Sequence, residues 1–163
     1  MNESKLVQLQ AKWATKENFA PYGQVISAAE NEKPYDEEDA QLVLDRGIPR
    51  FYIMRLRKTG SRFHHIARHV QCTQCLGAIA ATDWLMGVAP PSPDAKPTVK
   101  DIVAFRIPGN CFIKLHLGSW HAGPLFDNPD SIDFYNLELS DTNINDFDTC
   151  NLLSTYNLTF EII

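Results

Sequence analysis

A chain of 163 residues with 44% hydrophobic and 21% charged residues has the make-up of one globular domain, expected to run over 1–163. Its 15 basic residues against 20 acidic ones give a net charge of -5, the wrong sign for a phosphate-backbone binder, so nucleic acid is not an expected partner. No stretch reaches the ~18 apolar residues of a membrane span, and the N-terminus lacks the apolar run of a signal peptide, so a cytoplasmic protein with reduced cysteines is expected.

Along the chain the dominant period is two. Val7, Leu9, Ala11 and Trp13 alternate with Gln8, Gln10 and Lys12, which predicts a half-buried N-terminal strand. Thr15 to Pro21 suits one short helical turn, with Thr15 as its cap and Pro21 at its end. Residues 29–39 read as a charged surface loop containing Glu37, Glu38 and Asp39. Alternation returns over 50–57, and further strands are expected over 62–67, 72–80, 84–88, 102–107, 111–117, 132–139 and 156–163. Turn signals at Lys58 to Ser61, Pro90 to Asp94, Pro108 to Asn110 and Gly123-Pro124 separate them. Many short strands without a long helical pattern predict an all-β sandwich or barrel with one or two short helical turns. Cys72 and Cys75 would face opposite sides of a strand, so they read as buried structural thiols ahead of a redox pair or a zinc site.

All five histidines fall in two stretches, His64, His65 and His69 in one and His116 and His121 in the other. Imidazole titrates near neutral pH and is the commonest metal ligand, so two such stretches converging in a barrel point to a proton-transfer or metal site. Strand alternation places Phe112, Lys114 and His116 on one face, and His65, Ala67 and His69 on one face of the earlier strand. His64 and His116 also have structural readings, and Trp120 reads as a packing residue.

The string His116-Leu-Gly-Ser-Trp-His121 resembles the second motif of the cupin superfamily, and His69 with Gln74 resembles the second histidine and the glutamate of its first motif. The resemblance implies a cupin-like jelly-roll barrel. Of the cupin metal set, His65, His69, Gln74 and His121 would be the candidates here, so the resemblance leaves room for one divalent ion, with glutamine a weaker ligand than glutamate. No organic cofactor is expected.

A closer resemblance is spread over most of the chain. Phe19-Ala-Pro-Tyr-Gly-Gln-Val-Ile26, Gly47-Ile-Pro-Arg50-Phe-Tyr52, Arg68-His69, Thr73-Gln74, Ala104-Phe105, Gly109, His116, Trp120-His121 and Pro124-Leu125-Phe126 follow in order like the motifs of the ureidoglycolate lyase (ureidoglycolate hydrolase) family of purine and allantoin catabolism. Three departures stand out. His65 occupies a family glutamate position, Ala122-Gly123 replaces the histidine after Trp120-His121, and Glu138-Leu139 stands where an Asp-Arg pair is usual.

The resemblance implies cleavage of ureidoglycolate, a hemiaminal, to glyoxylate and urea. That reaction needs a base for the hydroxyl, an acid for the departing nitrogen and a cation for the carboxylate. His69 and His121, with His65 beside them, are the catalytic candidates. Arg50, at the family's Arg-Tyr position, is the candidate for the carboxylate, with Gln74, His116 and Lys114 as further substrate contacts. The competing expectations are a metal-dependent oxygenase or isomerase on a small carboxylate, and a non-catalytic cupin that binds a small acid. An N-terminal edge strand together with the family likeness makes a homodimer the expected assembly.

Overall fold

The computed structural model describes residues 3–163; Met1 and Asn2, where the expected domain begins, lie outside the described residues. Two sheets face each other. One has five strands in the order β3 (Gly23–Ile26), β10 (Phe112–Leu115), β7 (Gln74–Ala78), β12 (Ser131–Leu139) and β4 (Pro49–Arg57). The other has six, in the order β13 (Asp148–Asn151), β6 (His65–Arg68), β11 (Trp120–Leu125), β8 (Trp84–Ala89), β9 (Val103–Ile107) and β2 (Lys12–Trp13). A third sheet sets β14 (Leu158–Ile162) between β1 (Lys5–Leu9) and β5 (Arg62–Phe63). The helical pieces are short: α1 (Lys16–Phe19), α2 (Thr142–Asn145), α3 (Leu152–Tyr156) and a 3-10 turn at Val99–Asp101. The protein is all-β, as expected.

Pairing registers assign the faces. Directly opposed residues share a face, so Tyr52, Asn136 and Leu76 point the same way, as do Met54, Phe134 and Ala78. These side chains meet Trp84, Met86, Val88 and Ile107 of the six-stranded sheet in the main core. Trp84 meets Phe134 edge to face at 5.3 Å between ring centroids. The opposite face of the six-stranded sheet is also covered. There Leu85, Ala89, Trp120 and Ala122 pack against Phe63, Leu152, Phe160 and Ile162 in a second core. A sheet buried on both faces needs apolar residues at every position, which is why Trp84–Ala89 is an unbroken buried run with no polar alternation.

The expected helical turn is present, with Thr15 accepting from the Asn18 backbone and Asn18 from the Thr15 backbone in a reciprocal cap. Three strands were not anticipated: β3, β11 and β13. The sequence reads Gly123-Pro124 as a turn, yet both residues lie within β11, where the register with β8 shifts between Ala122 and Leu125. Gly123 has φ +119, a conformation open mainly to glycine, so the residue serves an irregularity inside the strand instead of its end. The expected strand over 62–67 is divided at His64 into β5 and β6, which join different sheets.

Gly23 lies close against the neighbouring strand β10. A Cβ there would sit 1.9 Å from the Lys114 carbonyl oxygen, a backbone atom that cannot step aside. Gly23→Ala is therefore expected to destabilise the protein by about 3 kcal/mol, read as a lowered midpoint in urea denaturation.

Candidate active site

The chain crosses from the six-stranded to the five-stranded sheet after β6, and crosses back after β12. Asp146, in the second crossing, clamps the first: its carboxylate accepts from the Val70 and Gln71 backbones at 2.7 and 2.8 Å. The Asp146 carbonyl accepts from His69 Nδ1–H at 2.6 Å. A carbonyl can only accept, so His69 is held as the Nδ1–H tautomer with Nε2 left free. His121 sits on β11 between Ala67 and Val88, on the face that looks toward the five-stranded sheet. Its Nδ1–H reaches the Ser119 carbonyl at 3.3 Å, which again leaves Nε2. The two buried rings stand 5.1 Å apart, centroid to centroid, inclined at 51°. The Phe147 ring stacks on His69 at 6.0 Å between centroids and is half exposed.

A polar network occupies the inner face of the five-stranded sheet. Gln74 opens β7 directly after the first crossing, and Glu138 stands near the end of β12 directly before the second. The imidazole pair and this network therefore share one end of the sandwich. Gln74 Nε2 donates to Asn136 Oδ1 at 3.0 Å and to Glu138 Oε2 at 3.3 Å. Asn136 Nδ2 donates to the Tyr52 hydroxyl at 3.1 Å, and Tyr52 and Asn143 each reach Glu138 Oε1 at 3.5 Å. Arg50 stacks over the Tyr52 ring at 3.7 Å and comes within 4.0 Å of Glu138 Oε1. Glu138 is 1% exposed whereas the Arg50 side chain is 45% exposed. The result is a buried carboxylate with a reachable guanidinium above it.

Burial, reinforced by the neighbouring charge of His69, pushes His121 down to about 3. His121 is thus neutral at physiological pH. The unfolded chain binds a proton at this residue near 6.5 while the native chain does not until about 3. Stability is therefore complete above the unfolded value and is lost as pH falls from about 6.5 toward 3. At pH 5 the loss is about 2 kcal/mol. Urea melts at pH 7 and pH 5 are expected to show this fall in the wild type and a smaller one in His121→Leu.

The candidates named from the sequence divide into three groups. His69 and His121 come together. Gln74 and Arg50 meet through Glu138 on the facing sheet. His65, Lys114 and His116 stand elsewhere. His65 is exposed and pairs with Asn151 at the start of β6. Although it shares strand parity with His69, four residues of extended chain separate their Cα atoms by about 13 Å. The expected set of His65, His69, Gln74 and His121 is thus not assembled, and among the described residues no group of three or more histidine, cysteine, aspartate or glutamate side chains is arranged to hold a metal ion. Lys114 and His116 share a face, as alternation indicates, but it is the outer face: Lys114 opposes Cys75 and Gln24, pointing away from Leu76 and Asn136. Strand period fixes which residues go together but not which side is inside.

Three residues of the network, Tyr52, Asn136 and Glu138, are not among the candidates from sequence. A signal for two of them exists. Ile132, Phe134, Asn136 and Glu138 share one face of β12, and that face is buried throughout. Polar residues continuing an apolar inward face mark a buried polar site.

The sequence pattern of the family described as ureidoglycolate lyase matches residues 6–159. The chain belongs to the ureidoglycolate lyase family. Membership makes it an enzyme of the lyase class, and the matched span takes in both crossings, the imidazole pair and the Glu138 network. Comparison with curated proteins returned no match. No helix is long and apolar enough to cross a membrane among the described residues.

Proposed function

We propose that the protein cleaves ureidoglycolate to glyoxylate and urea, with His69 and His121 as a proton-transfer pair. The observation that carries this reading is the contact between two buried imidazoles, each tethered through Nδ1 so that Nε2 is available. Burial and mutual repulsion disfavour two protons on this pair, and His121 is the member held neutral. His121 Nε2 takes the substrate hydroxyl proton as the carbon–nitrogen bond breaks and the aldehyde carbonyl forms. A proton carried on His69 Nε2 passes to the departing ureido nitrogen. Transfer of one proton from His121 to His69 restores the starting state. In the free protein His121 is a weak base, but a bound carboxylate nearby favours its protonated form and strengthens it.

Arg50 offers a planar fork to the substrate carboxylate, and Glu138 with the Tyr52 ring holds that guanidinium in place. Gln74 Oε1 is buried without a partner among the described residues, since the Gln74 amide turns its nitrogen to Asn136 and Glu138. An unpaired acceptor at this end of the sandwich suits a ligand rich in N–H donors, as a ureido group is. Each step uses only side chains of this chain, and none is routed through a metal ion.

A coupled assay for urea and ammonia with ureidoglycolate tests the reading. Urea as the nitrogen product is expected; ammonia would make the protein a hydrolase, and neither product would overturn the substrate. The reading includes a cytoplasmic homodimer, in which the β1 edge of the three-stranded sheet is free to pair. Light scattering on the purified protein checks the mass.

A further inference from the structure

Lys114 and His116, left out of the active site, line a cavity of their own. It has a volume of about 400 Å³ and lies on the outer face of the five-stranded sheet, with Lys16, Gln24, Glu37 and Glu38 also in its wall. Lys114 is only 3% exposed. Its nearest polar partner is an imidazole: Lys114 Nζ donates to His116 Nδ1 at 2.9 Å, while His116 Nε2–H donates to the Ala20 carbonyl at 3.0 Å. That second bond fixes the tautomer, so Nδ1 is a lone pair able to take a proton from the amine. Among the described residues no carboxylate forms an ion pair with Lys114, and Glu38 is engaged with Lys16 at 3.2 Å. Burial lowers the pKa of both Lys114 and His116, which favours the free amine beside a neutral base. A desolvated lysine without a counter-charge, next to a proton acceptor and at the wall of a cavity, has the makings of a carbonyl nucleophile.

We propose that Lys114 and His116 form a second reactive site, outside the sandwich, where the Lys114 amine condenses with a small uncharged aldehyde. The amine nitrogen attacks the aldehyde carbon, and a carbon–nitrogen bond forms as the carbonyl oxygen becomes a hydroxyl. His116 Nδ1 takes the proton lost by nitrogen and returns it to oxygen. The hydroxyl then leaves as water while the nitrogen gives up its remaining proton, producing an imine. Glu37 and Glu38 in the wall disfavour an anionic aldehyde. The site is independent of the ureidoglycolate reading.

The first test traps the imine on the wild-type protein, so that arm needs no variant to fold. Glycolaldehyde with cyanoborohydride at neutral pH, followed by peptide mass mapping, is expected to modify Lys114 ahead of the exposed Lys5, Lys12 and Lys58. Modification of Lys114 no faster than those three overturns the site. Glyoxylate in a parallel arm is expected to react more slowly at Lys114; faster reaction removes the preference for an uncharged ligand. His116→Asn keeps an acceptor oxygen but cannot carry a proton. It is expected to slow trapping at Lys114 by about tenfold or more, and an unchanged rate would remove His116 from the step.

Discussion

His121→Ala is expected to lower kcat for urea release from ureidoglycolate by about 10²- to 10⁴-fold, with a much smaller change in KM. In the proposed mechanism the proton that His121 takes leaves the hydroxyl only as the carbon–nitrogen bond breaks. The imidazole therefore acts on the transition state and contributes little to binding. His69→Ala should fall in the same range, because the proposed mechanism makes one relay of the two rings, which stand 5.1 Å apart. The double variant is expected to be no slower than about the worse single variant, since a relay that has lost one member has lost its function. Steady-state kinetics on the three proteins, with circular dichroism as a check on folding, decides the matter. Urea release by His121→Ala at the wild-type rate would sink the mechanism. If instead the double loss equalled the product of the single losses, the two imidazoles would be acting separately.

How far the sequence foretold this site follows from what each kind of pattern can encode. Period-two alternation located most strands and correctly grouped Phe112, Lys114 and His116 on one face. It could not say which face of β10 meets the six-stranded sheet, because loop residues such as Glu37 and Gln41 cover part of the outer face and Lys114 is buried there too. β3 and β13 have four residues each, and β13 begins with two exposed residues, so neither carries enough alternation to stand out. β11 hid behind Gly123-Pro124, a dipeptide that marks turns in most contexts but here sits at a register shift. His69 and His121 were legible because imidazoles are rare and matched family positions. Glu138 was legible as a departure from a family pair and as a polar residue continuing an apolar strand face, but its place opposite Arg50 rests on the β12–β4 register. Long-range pairing of this kind is not written in local sequence.

Arg50→Leu is expected to raise KM for ureidoglycolate by about ten- to a hundredfold while kcat changes less, the signature of lost ground-state binding to a carboxylate. The size follows from the chemistry: a hydrogen bond to a charged group contributes about 1.5–3 kcal/mol, and 1.4 kcal/mol is a factor of ten. Stability should fall only modestly, because the Arg50 side chain is half exposed and its contact is 4.0 Å, but it falls, because Arg50 is the ion-pair partner of the buried Glu138 carboxylate. Arg50→Lys keeps the charge but loses the planar fork and its stacking on Tyr52, so an intermediate KM is expected. Glu138→Gln separates the two roles open to the carboxylate. A glutamine fills the same space with one acceptor oxygen in place of two: with Oε1 toward Gln74, its Nε2–H donates to the Tyr52 hydroxyl, so most of the network survives, but the counter-charge that holds Arg50 is gone. If Glu138 positions Arg50, KM rises in Glu138→Gln and does not rise further when Arg50→Leu is added. If the two effects multiply, Glu138 serves the substrate directly and Arg50 is held by the Tyr52 ring alone.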